Sequence, residues 1–351
     1  MLSWIRLRSR NRERMYLKMR IAFPDRRWLC GLLLAMATMN APAVGAQSPP
    51  DRARDFIFTY HSVIAVPDRA ARLEAWVPLP RNDGFQSISE LTVESLIPTK
   101  IVDQHHDGNR VLHVEADAPL PRTIPVTVRF KVRRIEESAA LAQTQPVWTA
   151  SADGEFLHAD RLVPIDGKIE QVSATIGDGS GTPYEQARAI YEWVVANMKY
   201  DKSGTGWGRG DAIYACDVKK GNCTDFHSLF IALARSRGIP ARFTIGFPVG
   251  IAKSGAIPGY HCWAEFYANG QWVPVDASEA WKHPERRDYY FGHLDADRVA
   301  FTTGRDLVLE PKQAGEPLNY LIYPYVEVDG RPLPATAVAN QFEYVDVGLN
   351  R

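Results

Sequence analysis

Residues 260–276, YHCWAEFYANGQWVPVD, decide how this chain folds. Asn269-Gly270 sits between two strand-like runs, the strongest short-range hairpin signal, because a type I′ turn needs positive φ at both central positions. With a two-residue loop Ala268 faces Gln271, and counting outward places Trp263 opposite Asp276 and His261 opposite Ser278. Residues two apart on a strand share a face, so His261, Trp263 and Asp276 point the same way. His261 and Asp276 become diagonal cross-strand neighbours within bridging reach. A three-residue loop would reverse that parity. Cys262 falls on the opposite face and reads as core.

Working outward, Gly221-Asn-Cys-Thr-Asp225 predicts a helix start, with Asn222 as cap and Asp225 in the first turn. Phe226, Leu229, Phe230, Leu233 and Ala234 supply an apolar stripe. Gly238-Ile-Pro240 stops the helix, and 241–247 reads as a strand. An earlier helix opens at Thr182, with Pro183 at its first position and Glu185 completing a capping box. Tyr184, Ala187, Tyr191, Val194 and Met198 form its buried face.

Cys223 lies in the first turn of the helix that begins at 221, where the positive end of the helix dipole favours a thiolate. A thiol needs a base and the base an orienting group, so Cys223, His261 and Asp276 form a candidate triad. Two rivals stand beside it. His227, one turn beyond Cys223 on the same face, is an alternative base, but nothing in the sequence orients it, and with Trp263 it reads as a pocket residue. Zinc held by Cys216, Cys223, His261 or Cys262 conflicts with the opposed directions of adjacent strand residues and with the lack of a Cys-x-x-Cys pair. No metal or cofactor is expected.

The motifs Gly221-Asn-Cys-Thr-Asp-Phe-His-Ser-Leu-Phe, Arg235-Ser-Arg-Gly-Ile-Pro-Ala-Arg242, His261-Cys-Trp-Ala-Glu-Phe and Val275-Asp276 resemble the transglutaminase-like core, from about Thr182 to Ser278. The resemblance implies an α+β, papain-like fold in which a helix carrying the cysteine packs on an antiparallel sheet. By resemblance Cys223 is the nucleophile, His261 the base and Asp276 the orienting acid. Family members often stabilise the oxyanion with an aromatic or amide side chain upstream of the cysteine. Tyr200 matches that place, with Trp207 as a substitute. Cys262 stands where alanine is more usual.

The 351 residues suggest two domains. A 45% apolar and 23% charged composition is ordinary for a globular protein. With 41 basic and 41 acidic residues there is no general pull toward nucleic acid or anionic lipid. Basic residues crowd Arg6 to Arg27, an apolar run spans Trp28 to Met39, and small residues follow at 41–46. This is the layout of a signal peptide over 1–46, cut near Ala46. The run is shorter than the roughly 20 residues that span a bilayer. A periplasmic protein with no stable membrane span is therefore expected. It would retain Cys216, Cys223 and Cys262, an odd number that predicts at least one free thiol. A bond from Cys216 to Cys262 or to Cys223 is conceivable, and the helix-start position argues that Cys223 stays free.

Period-two alternation at Phe56, Phe58 and Tyr60, at Leu73, Ala75 and Val77, and at Val126, Val128, Phe130 and Val132 predicts an N-terminal β-sandwich over 50–140. His105-His106 read as a solvated loop. The catalytic core is expected over 141–290, with 291–351 supplying strands that complete it, among them 320–328. Asp295 and Asp297 lie in a segment that reads as solvated loop, since the full calcium-loop pattern is absent. The chemistry implied is acyl transfer through a thioester: a peptidase or amidase on peptide, protein or cell-wall amides. The alternatives are a cross-linking transglutaminase and a non-catalytic peptide or cell-wall binding module.

Overall fold

The computed structural model describes residues 53–105, 108–139 and 154–348. The expected signal peptide with its cut near Ala46, His106, and the 140/141 domain boundary lie outside the described residues. The architecture is mixed α/β and mostly sheet.

Strands are numbered in chain order. One antiparallel sheet runs β11 (Ser254–Ala256), β18 (Val338–Asp346), β1 (Ala53–Ala65), β6 (Thr123–Ile135), β3 (Gln86–Ser95). A second runs β17 (Arg331–Pro332), β16 (Tyr325–Val328), β2 (Arg72–Leu79), β5 (Arg110–Asp117), β4 (Thr99–Asp103). Alternation is regular in β1 and β6, where Phe56, Phe58, Tyr60, Val128, Phe130 and Val132 are buried while Arg129 and Arg133 are exposed. In β2 it breaks down: Trp76 and Pro78 are buried as well as Leu73, Ala75 and Val77. Leu307, Leu309 and Leu321 cover the second face of that strand around Trp76 and Val111. A strand buried on both faces loses its period-two signal.

The third sheet, β13 (Gln271–Val275), β12 (His261–Ala268), β10 (Ala241–Pro248), β15 (Arg298–Thr303), carries the candidate site. The segment expected to complete this sheet contributes β15 to it, whereas β16 and β17 join β2, and β18 joins β1. Only 325–328 of the stretch 320–328 is strand. Two short pairs complete the pattern: β7 (Glu137–Ser138) with β14 (His293–Leu294), and β8 (Lys199–Tyr200), parallel to β9 (Lys220–Gly221).

The α-helices named among the described residues are α1 (Lys168–Ser173), α2 (Pro183–Asn197), α3 (Ala212–Val218), α4 (Cys223–Arg235) and α5 (Ala277–Lys282). Helix α2 starts at the Thr182–Glu185 capping box, with Pro183 in its first turn. Helix α4 was expected to bury one stripe, yet all of its residues are buried. The reason is its central position: β10 and β12 lie against it, as do α1, α2, α3 and α5. None of the helices among the described residues is long and apolar enough to cross a membrane.

A bulge between Ile245 and Gly246 lets β10 pair with β15. A Cβ on Gly246 would sit 1.9 Å from the Val299 carbonyl oxygen. Gly246→Ala is therefore expected to force these strands apart and destabilise the fold by about 1–3 kcal/mol. A lowered urea midpoint at unchanged slope would report this; an unchanged midpoint would refute it.

Candidate active site

Three local features bring the site together. The first is the hairpin. Asn269 and Gly270 have φ of 54° and 80°, and Ala268 pairs with Gln271, so the loop has two residues. The ladder ends at Ala264 opposite Val275, and the chain turns into α5 at Ala277. Asp276 caps that helix: its Oδ1 accepts from Glu279 N–H at 3.0 Å and Ser278 Oγ–H at 3.0 Å. Its Oδ2 is 2.7 Å from His261 Nε2.

The second is the start of α4. Asn222 Oδ1 accepts from Thr224 N–H at 3.0 Å, and Asp225 Oδ2 accepts from Asn222 N–H at 2.9 Å. The same Asp225 carboxylate accepts from Gly208 N–H at 2.7 Å and Gly210 N–H at 3.1 Å, tying the preceding loop to the helix. Cys223 is 2% exposed. The third feature is the parallel pairing of Tyr200 with Gly221, which sets the Tyr200 ring beside the helix start. Lys282 of α5 lies 4.1 Å from that ring.

His261 meets Cys223 through a side-chain hydrogen bond. Its Nε2 is engaged by Asp276, so Nδ1 is the atom that faces the sulfur. Burial alone would push this imidazole down, but the Asp276 charge and hydrogen bond, with Cys223, carry it up to about 10. Burial would likewise raise the Asp276 carboxyl; His261, then Arg298 and His227, outweigh it and hold the group well below the carboxylate range. The Cys223 thiol is held well below its ordinary value by the hydrogen bond from Cys262 and by His261 and His227, against the opposing effect of burial. The stable pairing is thiolate with imidazolium. Burial and the neighbouring Cys223 push the Tyr200 phenol up, so it remains a donor.

Other expectations divide. His227 is fully buried, and its Nε2 accepts from Ala277 N–H at 3.1 Å. That bond supplies the orientation the sequence does not reveal, and burial pushes its pKa down. Both His227 and Trp263, read from the sequence as pocket residues, are buried. Trp263, 1% exposed, packs with Leu294 and Ala300 behind His261, and the Arg298 guanidinium sits 5.1 Å from its ring. Trp207 donates its Nε1–H to Gly204 O at 3.2 Å, so its polar group already serves its own loop. Cys262 is core, as its strand position suggests, but its sulfur also reaches Cys223 and His227. The described cysteines, 216, 223 and 262, are all free.

Sequence reasoning missed Arg298. Its Nη1 donates to Asp276 Oδ2 at 3.1 Å and its Nη2 to Asp295 Oδ2 at 3.2 Å. The segment around Asp295, expected as solvated loop, is thus a structural buttress of the site; Tyr290, Phe291 and Leu294 are buried and Asp297 pairs with Arg54 at 2.6 Å. His105 is exposed and pairs with Glu310 at 2.8 Å. Among the described residues, Glu74, His113 and Glu115 present ligand atoms within 4.8 Å of one another, far along the chain from these groups. Arg72 already pairs with both carboxylates.

A family model described as the transglutaminase-like superfamily matches residues 170–277. A protein of Haemophilus influenzae that carries no functional name is 30% identical over 345 residues, covering 87% of this chain and 92% of its own. The human kyphoscoliosis peptidase is 25% identical over 131 residues, 35% of this chain and 19% of its own. The crystal structure of a candidate cysteine protease from Cytophaga hutchinsonii superposes with a TM-score of 0.56 at 18% identity, covering 85% of this chain and 94% of that one, which establishes likeness of fold.

Proposed function

The chain belongs to the transglutaminase-like superfamily, and from that premise we propose that it is an exported acyl-transfer enzyme, a peptidase or amidase working through Cys223, His261 and Asp276. The observation that carries the reading is the 2.7 Å contact of His261 Nε2 with Asp276 Oδ2, which leaves Nδ1 to face Cys223. The Cys223 thiolate attacks an amide carbonyl of a peptide, protein or cell-wall substrate. The C–N bond breaks as His261 gives its proton to the leaving amine, and a thioester remains on Cys223. Neutral His261 then takes a proton from water, whose hydroxide resolves the thioester and regenerates thiolate and imidazolium with release of the acid.

We assign the oxyanion to the Cys223 N–H at the start of α4 and to the Tyr200 hydroxyl. Both sit on the cysteine side of the site, and the phenol keeps its proton. We further propose a β-sandwich over 50–140 beside a core over 141–290; of the segment 291–351, expected to complete the core, β15 joins the core sheet while β16 and β17 join the sheet of β2 and β18 pairs with β1. Export rests on the basic and apolar leader ending near Ala46.

The test is to incubate the purified chain with a defined peptide mixture and with murein fragments, with and without a primary amine, and to read products by mass spectrometry. An acyl adduct on Cys223 and cleaved amides, both lost in Cys223→Ala, are expected. Amine-conjugated products in preference to acids would select the cross-linking alternative. No adduct and no turnover would leave the binding-module reading in place of catalysis.

A further inference from the structure

Cys262 follows the candidate base directly in sequence, is fully buried, and has no part in the mechanism above. Its surroundings define a chain of donors whose direction can be worked out. Ala277 N–H can only donate, and it points at His227 Nε2 at 3.1 Å. That nitrogen must therefore be the acceptor, so in neutral His227 the proton sits on Nδ1. Nδ1 lies 3.7 Å from Cys262 Sγ and also reaches the Cys223 backbone carbonyl. The Cys262 sulfur accordingly accepts from His227, and its own S–H is left to donate. The group it meets is the Cys223 side chain, with which it makes a hydrogen bond.

Taking Cys223 as the nucleophile, as the preceding reading does, we propose that Cys262 is a dedicated second-thiol donor that holds and stabilises the Cys223 thiolate, itself oriented by the Ala277–His227 relay. His227 is thereby a positioning residue acting through Cys262. The backbone donor fixes the tautomer: with Nε2 accepting from Ala277 N–H and lying 3.5 Å from Asp276 Oδ1, the proton stays on Nδ1, shared between Cys262 Sγ and the Cys223 carbonyl. It also explains why the polar Cys262 and His227 side chains are tolerated in a fully buried layer, since each finds a partner. The other titratable groups facing Cys223 are His261 from β12, Tyr200 from β8, Asp225 from α4, and Tyr260, Tyr320 and Tyr323. Burial keeps the phenols of Tyr200, Tyr260, Tyr320 and Tyr323 protonated. Asp225 is committed to backbone donors from Asn222, Gly208 and Gly210. Between neutral pH and about 10, where His261 loses its proton, Cys262 and His227 join His261 as the neighbours whose removal should shift the thiol.

The experiment is peptide-resolved iodoacetamide labelling of Cys223 across a pH series in the full chain, for wild type, Cys262→Ala and Cys262→Ser, with thermal melts to confirm folding. The apparent pKa of Cys223 is expected to rise by about one unit in Cys262→Ala, about tenfold less thiolate at a given pH below it. In Cys262→Ser, whose hydroxyl can donate, it should stay near wild type. An unshifted Cys262→Ala, or equal shifts in both variants, would overturn the proposal while leaving the nucleophile reading intact. An ordinary thiol pKa in the wild type would instead remove that reading, and the proposal with it. Should Cys262→Ala fail to fold, the Cys262→Ser profile and a His227→Gln variant decide, the latter expected to shift Cys223 upward through loss of the relay.

Discussion

Replacing His261 with alanine is expected to return the Cys223 thiol toward an ordinary pKa of about 8.5 and to lower acyl-transfer turnover by roughly 10²–10⁴-fold. Two influences vanish together: the hydrogen bond from the imidazole and its positive charge, both of which hold the thiol down. The Cys262 donor survives, so the shift should be large but incomplete. The wild type should keep its reactive pair over a broad range, from the depressed thiol pKa up to about 10, where His261 deprotonates. Linkage sets the sign for stability as well. The His261 pKa is raised on folding from its ordinary 6.5, so its contribution is fully present below that value and is lost as pH rises through about 10. Labelling kinetics and urea melts across pH 6 to 11 read both effects. A labelling profile in His261→Ala superposable on wild type would eliminate His261 as the partner of Cys223.

Asp276→Ala is expected to be the most destabilising single change at the site, at about 3–5 kcal/mol. This carboxylate is fully buried and serves four donors: His261 Nε2 at 2.7 Å, Arg298 Nη1 at 3.1 Å, and Ser278 Oγ and Glu279 N at 3.0 Å each. Alanine would leave the Arg298 guanidinium with Asp295 alone, take away the cap of α5, and free the His261 ring to rotate. Asp276→Asn separates these roles. Its carbonyl oxygen can keep the cap, while its NH₂ group would face the Arg298 donors. Loss of the wild-type charge also removes the larger part of what raises His261, leaving the contribution of Cys223. A folded Asp276→Asn with His261 returned toward 6.5, as read by NMR titration, is the expected result. Urea melts check the alanine variant: a loss of stability below about 1 kcal/mol would show that the carboxylate does not bear this network. Because Asp276 is depressed on folding, its contribution is present above the ordinary 3.8 and is lost as pH falls through its folded value.

The hairpin carrying His261 and leading into Asp276 was legible because its information is local. Asn269-Gly270 restricts the loop to two residues, and strand periodicity then assigns faces without reference to the rest of the chain. Both helix starts were legible for the same reason, the Thr182–Glu185 capping box and the Asn222 cap with Asp225 each lying within four residues; that Asp225 closes a second capping box emerged only in the structure. The apolar stripe on α4 was a poor guide to its burial, since a helix enclosed on every side carries residues such as Asp225, His227 and Ser228 whose burial depends on distant partners. Arg298 gave no signal in the sequence, standing 22 residues from Asp276 and meeting it only because β15 pairs with β10.

The sequence by itself determined the thiol, imidazole and carboxylate and their expected juxtaposition, because turn chemistry, capping and two-residue alternation are short-range forces with few solutions. The tertiary structure alone decided which groups surround them. It set the Tyr200 ring beside Gly221, the Arg298 charge against Asp276, and the Ala277–His227–Cys262 chain behind Cys223. Those contacts join segments tens of residues apart, and a buried polar group takes whichever partner the packed core brings within hydrogen-bond reach.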